Sequence, residues 1–145
     1  MKPVPGIEIE QQPEPIVLRM CLWAEARGEI ALGKLAIAWV IHNRADKADS
    51  SLKAQILKPW QFSSFNANDP NRAKMLEAWA KDATAWGACD AIAELFEQKA
   101  TIDPTLGSTH YLNRAVLEKQ PDWSLEEHGW EKQVTIGSHE FGNAA

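Results

Sequence analysis

The sequence has little of what marks several large classes of protein. It contains no apolar run long enough to cross a bilayer. Its 15 lysines and arginines stand against 20 aspartates and glutamates, for a formal charge of -5, and the basic residues form no stripe. Membrane insertion and a nucleic-acid partner are therefore not expected. The two cysteines, Cys21 and Cys89, lack the paired spacing of a zinc site. Their apolar neighbours favour buried free thiols, although a disulfide between them stays open.

The composition that is present suits one globular domain. With 145 residues and 45% hydrophobic content, the chain can bury a single sizeable core. Residues 1–13 lack the apolar centre of a signal peptide and are predicted to form a flexible leader. We expect residues 14–145 to form the single domain, and we expect a monomer.

Apolar spacing predicts mostly α-helix in the first two thirds of the chain. Pro15 can open a first helix, which Gly28 would end. The segment KLAIAWVIHNR, residues 34–44, is apolar around nearly its whole circumference, so we expect it to be the central, buried helix. A short helix should follow in SLKAQIL, with Ser50 or Ser51 as its N-cap.

The pattern changes toward the C-terminus. Asp69 followed by proline predicts another helix start, and Gly87 could kink or divide the helical stretch that follows. From Thr101 onward, turns alternate with short extended pieces, and QVTIGSHEFG, residues 133–142, could form a small hairpin. The fold class is therefore mainly α (α+β), with a small β-hairpin region near the C-terminus.

The stretch WAEARGE, residues 23–29, contains an acidic pair at the end of the first helix. Glu25 falls at the margin of the apolar face and in the last helical turn, where burial and the helix dipole both raise the pKa of a carboxyl group. A raised pKa is what a general acid needs near neutral pH. Arg27, two residues on, should not face Glu25, and the direction of Glu29 is undefined. A solvated surface charge cluster is the alternative interpretation.

Four segments of the chain resemble, in order, the SleB-like cell wall hydrolase family of spore cortex-lytic enzymes and related phage lysins. WAEARGEIALGKLAIAWVIHNR, residues 23–44, resembles its Glu-Ala-Arg-Gly-Glu signature. PWQFSSFN (59–66), DPTLGSTHYLN (103–113) and IGSHEF (136–141) resemble its later elements. Together the four span about 120 residues in the right order, which is far more specific than one motif. One departure is Gly142, where a tyrosine is usual.

This resemblance implies a lysozyme-like or lytic transglycosylase-like helical fold that cleaves peptidoglycan between N-acetylmuramic acid and N-acetylglucosamine. It implies Glu25 as the catalytic acid, with no metal and no cofactor. A lytic transglycosylase needs only this one acid. A muramidase-type hydrolase would need a second carboxylate, at ~5 Å for retention or ~6.5–9.5 Å for inversion. Glu29, Asp69 and Asp103 are the candidates, and we favour the transglycosylase.

Further side chains could bind substrate or support Glu25. Neutral polar groups in predicted loops can hydrogen-bond N-acetyl and hydroxyl groups, and a tyrosine can also tune the acid. The supporting candidates are Glu29, Gln61, Ser63, His110, Tyr111 and Asn113. His139 is more typical of a structural hydrogen bond.

Seven tryptophans are many for a chain of this length. Three of them lie in helical apolar stripes and are predicted to be core residues: Trp39, Trp79 and Trp86. Three others lie in irregular segments and could stack on sugar rings, although at least one of them should instead pack under a loop. These are Trp60, Trp123 and Trp130.

Two other classes of function remain open. Four histidines could in principle serve a zinc amidase or peptidase, although no His-Glu-x-x-His occurs. The second class is a non-catalytic glycan-binding module.

For the biological role we expect a phage endolysin, made in the host cytoplasm without a signal peptide and released to the periplasm through a holin-type pore. A bacterial cell-wall remodelling enzyme is the alternative.

Overall fold

The computed structural model describes residues 1–59 and 61–145 and shows a helical body with a small sheet beside it. The helices are α1 (Glu14–Ala26), α2 (Ala31–Ala48), α3 (Leu52–Leu57), α4 (Asn71–Lys81) and α5 (Ala83–Glu97). The strands are β1 (His110–Leu112), β2 (Glu131–Ile136) and β3 (His139–Asn143). The prediction of a mainly helical fold with a small β region near the C-terminus is confirmed.

Helix α1, rather than α2, is the central helix. It contacts each of the other four helices, and its residues are buried almost without interruption from Ile16 to Trp23. The charge in this run is compensated: Arg19, 2% exposed, pairs with Asp90 and Glu97 on α5. Every residue of α2 from Gly33 to Ile41 is buried or partly buried, whereas the helix is exposed from Asp46 onward. The prediction of a buried helix therefore holds for its first half, but α1 is the helix that contacts all the others, because apolar content does not show which helix the others surround.

Polar side chains fix the helix boundaries. Ser51 caps α3 by accepting a 3.0 Å hydrogen bond from the amide of Ala54. Asp69 accepts from the amide of Asn71 at the start of α4. Helices α4 and α5 divide at Asp82, and α5 continues through Gly87, so the predicted break lies five residues too late. The Asp82 carboxylate accepts a 2.9 Å hydrogen bond from the indole of Trp23, which anchors the reversal to the core.

The predicted hairpin is present as β2 and β3, and β1 adds to the free edge of β3 to give an antiparallel sheet of order β1-β3-β2. Tyr111 lies opposite Phe141 in this sheet. Gly142 is required by packing, since a Cβ there would lie 2.3 Å from the carbonyl oxygen of Glu131 and 2.7 Å from the ring of Trp130. The departure at Gly142 therefore makes room for Trp130.

The first 13 residues pack against the helical body. Ile9 is 2% exposed and belongs to the core. The buried Gln12 side chain bonds both the amide and the carbonyl of Val4, and the Trp86 indole donates to the carbonyl of Met1. These are contacts of a docked segment, unlike those expected of a flexible leader. Two buried apolar residues, Pro3 and Ile9, and the satisfied amide of Gln12 can dock a segment that has no periodicity.

The helical tryptophans divide between core and surface. Trp86 is buried and Trp39 is half-buried against the core, as predicted. Trp79 is 40% exposed, with the Lys2 ammonium 4.8 Å from its ring, so its assignment to the core was wrong.

Both cysteines are buried free thiols. Among the helices of the described residues, none has the length and apolarity to cross a membrane.

Candidate active site

Glu25 lies in the last turn of α1 and is only partly accessible to solvent. Burial raises the pKa of its carboxyl group, and the charge of Asp69 acts in the same direction. A hydrogen bond from Tyr111 and the charge of Arg44 oppose this, but the pKa remains above the usual glutamate value. The direction of this shift is the one that the sequence predicts for a carboxyl group at the margin of the apolar face.

Tyr111 brings the sheet to the end of α1. Its backbone is held by the pairing of β1 with β3, and its ring meets His139 edge-on at a centroid distance of 5.1 Å. Burial raises the pKa of the Tyr111 phenol well above its usual value, and the neighbouring Glu25 charge adds to this. The phenol therefore stays protonated and can donate a hydrogen bond to the Glu25 carboxylate.

Arg44 is the cation of the site, and the sequence analysis did not single it out. It projects from α2, donates hydrogen bonds to the Thr109 carbonyl and to the Gln61 amide oxygen (3.2 Å), and lies over the Phe62 ring. Burial lowers the pKa of the Arg44 guanidinium, while the nearby acidic groups, Glu25 included, raise it. Its place as the last residue of the first motif was the signal that could have identified it.

Glu25 opens onto a cavity of about 500 Å³ between the helices and the sheet. Its walls contain both charged and aromatic side chains. They are Glu25, Arg44, Gln61, Phe62, Ser63, His110, Tyr111 and Trp123. The structure thus brings together five of the predicted site residues, from three separate segments of the chain. Trp123 packs 4.9 Å from the His110 ring, centroid to centroid, and presents an aromatic wall that suits a sugar ring.

Glu29 does not line this cavity. Its carboxylate holds the β2–β3 turn, accepting hydrogen bonds from the Ser138 amide (3.1 Å) and hydroxyl (2.7 Å) and contacting Nδ1 of His139 at 3.0 Å. The turn approaches so closely that a Cβ on Gly137 would lie 2.9 Å from the Glu29 carboxylate. The second glutamate of the motif therefore positions the sheet that carries Tyr111, which is a supporting role outside the cavity wall.

Asn113 and Asp103 also have local structural roles. The Asn113 side chain accepts from the Ala115 amide, and the residue is absent from the cavity wall. Asp103 accepts hydrogen bonds from Thr105 and Gly107 within its own loop and from the Asn43 side chain of α2. Asp103 therefore ties the loop before β1 to α2. Of the three candidate second carboxylates, Asp69 alone acts electrostatically on Glu25.

The remaining predicted aromatic and histidine sites are dispersed. Trp130 is 6% exposed and donates to Glu140, so it packs under the sheet. Trp60 lies outside the described residues. His42 contacts Trp39 and Phe96, and His128 lies beside Glu127. Within residues 1–59 and 61–145, no three His, Cys, Asp or Glu side chains gather as a metal site would require.

Comparisons with known proteins agree with this arrangement. The family model described as Cell Wall Hydrolase matches residues 28–142, a range that starts just after Glu25. The catalytic domain of the germination-specific lytic transglycosylase SleB from Bacillus anthracis is 23% identical, with a TM-score of 0.57, over 96% of this chain and 99% of that domain. The catalytic domain of Bacillus cereus SleB is also 23% identical, with a TM-score of 0.58, over 96% of this chain and 94% of that one. A search among curated proteins gave no match.

Proposed function

This chain belongs to the cell wall hydrolase family, and we propose that it cleaves peptidoglycan glycan strands between N-acetylmuramic acid and N-acetylglucosamine, with Glu25 as the catalytic acid. The observation that carries this proposal is a carboxyl group of raised pKa, facing a cavity whose other walls are neutral polar, cationic and aromatic. Such a cavity suits a sugar polymer, which offers hydroxyl, amide and ring faces.

The chemistry requires two proton transfers at one carboxyl group, the first from it and the second to it. Protonated Glu25 donates its proton to the glycosidic oxygen as the C1–O bond breaks and the muramic acid ring develops oxocarbenium character. The Tyr111 hydroxyl stabilises the resulting carboxylate. This carboxylate then accepts the proton of the C6 hydroxyl as O6 bonds to C1. The products are a 1,6-anhydromuramic end and a free glucosamine hydroxyl, and Glu25 is protonated again.

The lining of the cavity favours this transglycosylase route over hydrolysis. Glu25 is the one carboxylate among its lining residues, counted over the described chain. Two of the alternative acids are committed elsewhere, since Glu29 holds a turn and Asp103 holds a loop. Asp69 is the acid through which a muramidase-type hydrolysis would have to proceed. The names of the SleB structures, one of them called a lytic transglycosylase, support the same route.

Digestion of purified peptidoglycan followed by mass spectrometry tests the proposal. We expect 1,6-anhydromuramic ends with the parent protein and none above background with Glu25→Gln. Reducing ends on muramic acid would establish the hydrolase in place of the transglycosylase. Free stem peptides with intact glycan strands would overturn the proposal and support an amidase or peptidase, for which loss of activity on chelation is the second sign. Binding to sacculi without any released fragment would support a non-catalytic module.

We further propose that the enzyme serves as a phage endolysin that reaches the wall through a holin-type pore. The resemblance of its motifs to those of phage lysins supports this role. Production in the cytoplasm of a Gram-negative host should leave the cells intact until a holin is co-produced, whereupon they should lyse. Lysis without a holin, or none with it, would favour a bacterial remodelling enzyme.

A further inference from the structure

A second cavity continues from the one that holds Glu25. It encloses about 380 Å³ and shares Arg44, Gln61 and His110 with the catalytic cavity, so the two form one groove. The extension is bounded by the C-terminal end of α2 and by α3. Its further lining residues are Lys47, Ala48, Gln55, Lys58 and Thr109.

This extension is cationic in a chain that is acidic as a whole. Lys47 and Lys58 are exposed, and no carboxylate lines the cavity in the described parts of the chain. Nor does any carboxylate of residues 1–59 and 61–145 form an ion pair with either ammonium group. Two unpaired ammonium groups that converge on a cavity are suited to bind carboxylates.

His110 sits where the two cavities join and carries little charge at neutral pH. Burial lowers the pKa of its imidazole, and the positive charges of Arg44 and Lys47 lower it further. Arg44 is already engaged with the Thr109 carbonyl and with Gln61. The cationic groups of the extension that remain available to a ligand are therefore Lys47 and Lys58.

We propose that this extension binds the anionic stem peptide carried by the muramic acid residue in the catalytic cavity, with Lys47 and Lys58 pairing with its carboxylates. This inference rests on the proposed function, because a glycan strand bound at Glu25 carries its peptides into the adjoining groove. The enzyme should then prefer peptide-bearing glycan to peptide-free glycan, and salt should weaken that preference because exposed charges are screened. The helix dipole gives Lys47 a second possible role, because the C-terminus of α2 favours a nearby cation. Lys58 is the C-cap residue of α3, so the same reason applies to it, and the binding measurement below separates the two roles.

Equilibrium binding to the Glu25→Gln protein tests this without catalysis. The probes are the N-acetylglucosaminyl-N-acetylmuramic acid disaccharide with a tripeptide that ends in a free carboxylate, and the same disaccharide without peptide. We expect the peptide to tighten binding about fivefold to tenfold, the range for two exposed ion pairs. Adding Lys47→Gln and Lys58→Gln should abolish that gain while leaving the affinity for the bare disaccharide within about twofold.

The matched control replaces Lys74 and Lys119, which are also exposed but line neither cavity, by glutamine. This control makes the same change in net charge and should keep the full gain from the peptide. Equal losses in the two double variants, or no gain from the peptide in the parent, would overturn the proposal. Digestion of peptidoglycan by the protein with Glu25 intact reports separately on the proposed function. A protein that cleaves no peptidoglycan but still prefers the peptide-bearing probe would refute the proposed function and leave the peptide-binding proposal standing.

Discussion

The phenol of Tyr111, the only tyrosine in the chain, lies close enough to the Glu25 carboxyl group to lower its pKa, and so links the first strand of the sheet to the end of the central helix. Burial and Asp69 favour the neutral form of this carboxyl, whereas Tyr111 and Arg44 favour its anion. A group that must be acid and then base benefits from both influences, because its two forms then stay closer in free energy.

Replacing Glu25 by Gln should remove the proton donor while leaving the fold intact, since the amide is nearly isosteric. The cleavage rate on purified peptidoglycan should fall by about 10²–10⁴-fold, the range for one general acid-base group. Release of soluble muropeptides measures the rate, and thermal unfolding verifies the fold. Glu118→Gln, which changes an exposed glutamate, should cleave at the parental rate. Equal rates for the Glu25 variant and this control would exclude Glu25 as the acid.

Replacing Tyr111 by Phe should move the upper limb of the pH–rate profile, which is the fall in rate on its alkaline side, to higher pH. The active form of Glu25 is protonated, so the rate falls as the pH rises through its pKa. The Tyr111 hydrogen bond lowers that pKa, and its removal therefore raises it. Initial rates between about pH 4 and pH 9 give the limb. A limb that stays in place, or moves down, would show that the hydroxyl does not act on Glu25.

Replacing Asp69 by Asn should have the opposite effect. The Asp69 charge raises the pKa of Glu25, so its loss lowers that pKa and moves the upper limb down. The hydrogen bond from the Asn71 amide should survive, because the side-chain oxygen of asparagine can also accept it. On the transglycosylase route the maximal rate changes only a few-fold. A loss of several orders of magnitude at every pH would instead identify Asp69 as the second carboxylate of a hydrolase.

Replacing Glu29 by Gln should destabilise the protein at neutral pH. Burial raises the pKa of Glu29, but the hydrogen bonds from Ser138 and the charge of His139 outweigh this, so the pKa lies below its usual value. The carboxylate therefore stabilises the fold above the ordinary glutamate pKa of about 4.3, and this stabilisation is lost as the pH falls through the lowered value.

Denaturant unfolding at pH 7 should show a loss of about 1–3 kcal/mol in the Glu29 variant, as for disrupted hydrogen bonds to a partly exposed charged group. The difference from the parent should shrink as the pH is lowered below about 4. The Glu118→Gln protein is again the matched comparison. If stability at pH 7 is unchanged but activity is lost, Glu29 has a direct role in catalysis rather than one in holding the turn.

Replacing Ile9 by Ala tests whether residues 1–13 are docked in solution. Ile9 is 2% exposed, so the substitution should cost about 2–5 kcal/mol of unfolding free energy, as for other buried isoleucines. Ile102, 88% exposed, provides the same substitution without burial and should cost nearly nothing. Chemical denaturation gives both values. If the two variants are equally stable, the segment is the flexible leader that its composition predicts.

Local patterns sufficed for several features of the fold. The serine before α3 and the aspartate before α4 act on neighbouring backbone groups, so their effects could be predicted from adjacent residues. The β2–β3 hairpin is equally local. The central position of α1 and the break at Asp82 could not be predicted, because each depends on what distant segments place against the helix.

The sequence by itself determined that Glu25 would end a helix at the margin of its apolar face, because helical periodicity and a terminal glycine are local properties. Tertiary structure decided the rest of the site. It directs the Glu29 carboxylate to the β2–β3 turn, outside the cavity. It also places Tyr111 and Arg44 beside Glu25. The reason is physical: hydrogen bonds and charge interactions act over a few ångströms in space, and only the packing of α1, α2 and the sheet decides which residues come within that range.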